Sequence, residues 1–195
     1  MRRKLTQRGK DRRLQLMEHA SKLFAARGYH PTSVADIVES LGVGKGVFYW
    51  YFSSKEELLA EILRESHQAL RRRQQQAIGD EPNPVVRIEL GIRASIGWFL
   101  DHRRSFTLFQ FAASDERFAP VLRRNHDVAI ADTVRHIKEA IVDGLIADQN
   151  PEVLAEAMVG AINQLTQTYV FERSEPVDRT AEAAVSFCLH GLVGK

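Results

Sequence analysis

Apolar residues recur three and four positions apart along almost the whole chain, and hardly any stretch alternates with period two. The first spacing lines side chains up on one face of an α-helix, whereas a half-buried strand needs the second. The fold class expected is therefore all-α, with about nine helices. The six prolines fall at the boundaries this pattern sets, where a residue without an N–H does least harm.

The first helix is expected over 9–27, with Leu14, Met17, Ala20, Leu23 and Phe24 on its inner stripe and Gly28 as its stop. Ser33 followed by Asp36 has the spacing of a capping box and opens a short helix holding Val34, Ile37, Val38 and Leu41. Gly42, Val43 and Gly44 make a tight turn before a third helix over 45–51. Ser53 and Ser54, three residues before Glu56 and Glu57, cap a long fourth helix that fades near Gly79. Residues 80–84 read as a linker, and further helices are expected over 84–102, 104–113, 118–144 and 151–172. A last helix is expected to be capped by Asp178 and to carry Ala181, Ala184, Val185, Cys188, Leu189 and Leu192 inward.

Several function classes are excluded by what this sequence lacks. No run of about 18 uncharged apolar residues occurs, so no membrane span is expected, and the charges after Met1 interrupt any secretory signal, which points to a cytoplasmic protein. Cys188 is the single cysteine and rules out an internal disulfide or a cysteine-rich zinc module. The seven histidines form no i, i+4 pair, and no nucleophile elbow, phosphate-cradling glycine loop or paired carboxylates can be placed. Neither catalytic residues nor a metal or cofactor is expected.

Charge is distributed unevenly. Residues 1–55 hold eleven Lys and Arg against four acids, a net +7, which leaves −5 for the rest of a chain whose total is +2. Seven of those cations lie in residues 1–13, a basic arm suited to the DNA backbone or minor groove, or else a solvated tail. A basic head on a mildly acidic body is the footprint of a polyanion-binding module joined to something else. Two short helices separated by a glycine turn beside such an arm have the outline of a helix-turn-helix, whose second helix enters the major groove. Placing Phe48, Tyr51 and Phe52 inward turns Lys45, Gly46, Val47, Tyr49 and Trp50 outward, and an exposed aromatic pair on so small a helix asks for a partner.

The run from Leu16 to Leu59 includes Leu23-Phe24, Gly28-Tyr29, Thr32-Ser33-Val34, Asp36-Ile37, Gly42-Val43, Lys45-Gly46, Phe48 through Phe52, and Lys55 through Leu59. In order and spacing it resembles the DNA-binding domain of the TetR family of repressors. The resemblance implies that Val47 and Tyr49 face the major groove, with Gly44, Lys45 and Gly46 at the recognition helix's N-terminal end. Thr32, Ser33, Trp50 and Lys55 match positions that touch phosphates, which fix register without reading sequence. Three residues depart from the family's habit. Gly44 replaces a Ser or Thr cap at a cost of about a few tenths of a kcal/mol; Val47 favours a thymine methyl over a hydrogen bond; Trp50 replaces a His or Tyr.

The resemblance further implies residues 1–53 as the DNA-binding domain and 54–195 as a helical ligand-binding and dimerisation domain. A homodimer is expected through the last two helices, where Ala157, Gly160, Ala161, Ala181, Ala184 and Gly191 allow close approach, on a two-fold, double-stranded operator. The intervening helices would enclose a small hydrophobic inducer. Six of the twelve Phe and Trp residues crowd into positions 98–118. The candidates for ligand contact are Trp98, Phe106, Phe109, Gln110, Asn125, His126, Asn163, Gln167 and Tyr169. A regulator without an inducer, or a helical enzyme or ligand-binding protein with an incidental basic head, stands as the alternative.

Overall fold

The Thr6 hydroxyl accepts the N–H of Gly9 at 3.2 Å and starts α1 (Gln7–Arg27), which ends where Gly28 turns to φ 91° and gives its N–H to the Phe24 carbonyl. The computed structural model describes residues 5–193, with side chains through 190. Arg2, Arg3 and Lys4 of the basic arm lie outside the described residues, and so do the burial of Gly191 and the inward placing expected for the Leu192 side chain. The remainder of the arm is not an arm, since residues 7–13 are the first two turns of α1.

Along the chain follow α2 (Val34–Ser40), α3 (Lys45–Tyr51), α4 (Lys55–Ile78), α5 (Pro84–Asp101), α6 (Arg103–Ala113), a 3-10 turn (Glu116–Phe118), α7 (Ala119–Val142), α8 (Pro151–Leu165), a π-helix (Thr166–Glu172) and α9 (Val177–Val193). Among the described residues there is no strand. These elements form two compact units, one of the residues up to Ser66 with Arg104–Leu122, the other of His67–Arg103 with the residues from Arg123 onward.

In the first unit, Leu16, Ala20 and Phe24 of α1 meet Ile37 of α2, Phe48 of α3, Phe52, and Leu58, Leu59 and Leu63 of α4 in one buried cluster. Leu108, Ala112 and Phe118 complete it from the far segment. The inner face of α1 is centred on Leu16, with Met17 beside it. Leu14 lies about 200° around the helix from Leu16 and is 54% exposed, so it leaves the expected stripe. A buried phenylalanine such as Phe48 contributes enough that truncation to Ala costs about 3–5 kcal/mol.

In the second unit, Ile88, Ile92 and Ile96 of α5 pack with Ile137 and Ala140 of α7, Ala155 and Met158 of α8, and Ala181, Ala184, Val185 and Cys188 of α9. Asn83 and Asn150 cap α5 and α8, each accepting two backbone N–H groups ahead of a proline at the first helical position. The helix expected over 151–172 changes character at Thr166, which is buried and donates its hydroxyl to the Ile162 carbonyl at 2.7 Å. Such back-bonding competes with the helical ladder. α9 begins at Val177, which puts Asp178 inside the first turn rather than at the cap.

Candidate nucleic-acid interface

Two helix N-termini and the outer side of α3 make up the candidate surface. Ser33 caps α2 by accepting the Asp36 N–H at 3.2 Å, and the Asp36 carboxylate accepts both the N–H and the hydroxyl of Ser33. Those bonds lower the carboxyl's pKa. Ser33 itself stays exposed, on a helix end whose free N–H groups and dipole favour an anion. The turn to α3 uses Gly42 at φ 66° and returns the Val43 N–H to the Val38 carbonyl.

Gly44 is the N-cap of α3 and supplies no side-chain bond, although its carbonyl accepts the Val47 N–H at 3.0 Å. Lys45 and Gly46 are exposed there. Phe48 and Phe52 point into the core, while Tyr49 and Trp50 are 57% and 65% exposed. Val47 is half-buried against the core cluster, so only part of it faces outward as expected.

Two expected phosphate contacts are committed elsewhere. Thr32 is buried and its hydroxyl donates to the Gly28 carbonyl at 2.7 Å. Lys55 gives its ammonium to the carbonyls of Tyr29 and Thr32, each at 2.8 Å, and to that of His30 at 3.4 Å, and sits 4.2 Å from the Tyr29 ring centroid. Burial lowers its pKa. Both residues thus bond carbonyls of the α1–α2 connector, which runs into Ser33.

Residues the sequence reading passed over also fix this surface. Glu61, 4% exposed on α4, takes Arg13 of α1 at 2.7 Å and Arg64 at 2.6 Å, and the Arg13 guanidinium lies over the Phe52 ring. Its position among Leu58, Leu59, Ile62 and Leu63 on the apolar face was the available signal. Tyr29 donates to Glu56 at 2.9 Å, and Arg117 donates to the same oxygen at 3.1 Å. No local pattern announces that pair, because 61 residues separate Arg117 from Glu56.

The nine candidate ligand residues are divided between the two units. Phe106, Phe109 and Gln110 belong to the first unit and the other six to the second. Trp98 is buried and stacks on His102 at 4.3 Å. Asn125 is buried, His126 is exposed and meets Glu156 at 2.9 Å, Asn163 is exposed, and Gln167 and Tyr169 are half-buried on the π-helix. A groove in the second unit, lined by Pro82, Arg87, Lys138, Glu139, Val142 and Asp143, includes none of them.

Residues 16–62 match the family model of the bacterial regulatory proteins of the tetR family. The chain is 32% identical to the HTH-type transcriptional regulator TtgR of Pseudomonas putida over 150 residues, 68% of this chain and 70% of that one. It is 33% identical over 118 residues to the HTH-type transcriptional repressor KstR2 of Mycobacterium tuberculosis, 58% of this chain and 59% of the relative. Among solved structures, a TetR-family regulator from Syntrophomonas wolfei superposes with a TM-score of 0.85 at 22% identity, over 95% of this chain and 96% of that one.

Proposed function

Since the chain belongs to the TetR family of bacterial transcriptional regulators, we propose that it is a sequence-specific repressor released from its operator by a small hydrophobic ligand. Its relatives are regulators of transcription and not enzymes. The observation that carries the DNA-binding half is the exposure of Tyr49 and Trp50 on a seven-residue helix whose N-terminus, like that of α2, opens outward. Gly44, Lys45, Gly46, Val47 and Tyr49 meet base edges and the adjacent backbone. Ser33 and Trp50 take phosphate or sugar, and Thr32 and Lys55 hold the connector behind them. Residues 1–53 supply the DNA-binding function, and residues 54–195 supply ligand binding and dimerisation.

Two copies pair through α8 and α9. Val153 and Phe187 are 62% and 64% exposed, with Ala157, Gly160 and Ala183 on the same open surfaces. Ala181 and Ala184, in contrast, are spent on packing within the chain. A two-fold dimer holds its recognition helices roughly 34 Å apart, to match successive major grooves, and a ligand that prefers another spacing lowers operator occupancy. Within the second unit, buried Trp98 supports an apolar ligand, oriented by polar groups such as Asn125, Gln167 and Tyr169.

The test is selection of duplexes from a random pool by the purified full-length protein, followed by footprinting. Two half-sites one helical turn apart support the reading, and no enrichment over scrambled duplex contradicts it. Adding hydrophobic compounds to the selected complex then tests release.

A further inference from the structure

The DNA-binding head is closed by residues far outside the helix-turn-helix. Asp115 accepts the backbone N–H of Arg117 at 3.1 Å, its Nε at 2.9 Å and an Nη at 2.6 Å, so the guanidinium is held as a rigid fork. The other Nη donates to Glu56 Oε1, which also accepts the Tyr29 hydroxyl. The guanidinium lies 5.4 Å from the Tyr29 ring centroid, and the Tyr29 ring lies at 5.0 Å from Phe111 and 5.6 Å from Phe118. Tyr29 is 2% exposed, and its own carbonyl is one of the three on Lys55. The connector 28–32 has no regular structure of its own, and these side chains give it one shape. Arg117 hydrogen bonds keep the Asp115 carboxyl at about 2, so the fork stays charged across the physiological range.

From this arrangement we infer that Arg117 is a positioning residue for DNA binding. Through Glu56 and Tyr29 it fixes the connector, and through the connector the N-terminus of α2. The inference rests on the DNA-binding reading. Arg117 touches no phosphate on this account; its contribution is to remove alternative connector shapes before binding, so its loss lowers affinity without releasing fewer counterions.

The experiment compares full-length wild type with Arg117→Ala, Arg117→Lys, Tyr29→Phe and the Arg117→Ala/Tyr29→Phe pair on a selected duplex across a salt series. Amide exchange is measured on the same proteins. Arg117→Ala should bind roughly fivefold more weakly with the wild-type salt slope, and Arg117→Lys should fall between the two. The double variant should bind no more weakly than Arg117→Ala alone, because both changes cut one chain of contacts. Exchange should quicken at Gly28, Asp36 and Ile37 and stay unchanged in α5 and α9. Unchanged affinity, or a salt slope lower by about one, overturns the inference. If wild type selects no duplex, the DNA-binding reading fails and exchange decides alone. Faster exchange confined to those amides in Arg117→Ala supports the clamp, and unchanged exchange overturns it.

Discussion

Lys55 Nζ lies 2.8 Å from the carbonyl oxygen of Thr32, which ties the first residue of α4 to the last residue before the α2 cap. An ammonium bonded to three connector carbonyls is a structural group first, and a phosphate ligand only if the connector lets it go. Replacing it by Met should therefore cost about 1–3 kcal/mol in urea unfolding, since partly buried carbonyls lose their donor. Operator affinity should fall with the salt slope unchanged. A slope lower by about one would mean that Lys55 contacts a phosphate directly.

The Ser33 and Asp36 box gives a second prediction. Ser33→Ala removes the acceptor for the Asp36 N–H and should destabilise the protein by about 1 kcal/mol, read by the same denaturant titration. Because Ser33 is also exposed at the proposed backbone contact, its operator affinity should fall by more than the change in stability explains.

Much of this head was legible because local rules agreed with the tertiary result. The Ser33 cap, the Gly28 and Gly42 stops and the inward spacing of Phe48 and Phe52 each satisfy a local demand and the core together. What escaped was long-range. Leu108, Ala112 and Phe118 join the head's core from 45 or more residues beyond Leu63, the last α4 residue in the cluster, and periodicity cannot assign a helix face to a partner. Thr32 and Lys55 read as surface groups by residue type, and only three-dimensional geometry shows where their donors go. The change from α-helix to π-helix at Thr166 has no clear sequence sign, since 151–172 keeps a helical period throughout.

Tyr49 and Trp50 should be separable from stability. Each is more than half exposed, so Tyr49→Ala and Trp50→Ala should leave the unfolding free energy within about 0.5 kcal/mol. Each should nevertheless weaken operator binding roughly tenfold or more, as large aromatic anchors do. Equal binding by both variants and wild type would move the interface off α3.

Acid should weaken the second unit. Burial, and then Arg71, lower the pKa of His67; burial, with Arg135 and Arg87 behind it, lowers that of His136, against weaker opposing effects of Asp132 and Glu139. A depressed histidine pKa means the unfolded chain takes up the proton first. Stability is then full above 6.5 and is lost as pH falls through the lowered folded values. Thermal unfolding followed from pH 7.5 downward should show this loss, and His67→Gln/His136→Gln should flatten it.

Phe187→Glu places a charge on the exposed side of α9 and should leave a folded monomer by sedimentation, with operator affinity reduced because half-sites are no longer engaged together. A dimer of unchanged stability would put the two-fold interface on other helices.

On the proposed function, the exposed face of α3 and its flanking helix ends bind one operator sequence. The most direct measurement is fluorescence anisotropy of the wild-type protein on a selected duplex and on its shuffled counterpart from low to moderate salt. Both bindings should weaken with salt, and the selected duplex should stay at least roughly a thousandfold tighter throughout. Equal affinity for the two duplexes at every salt concentration would contradict it.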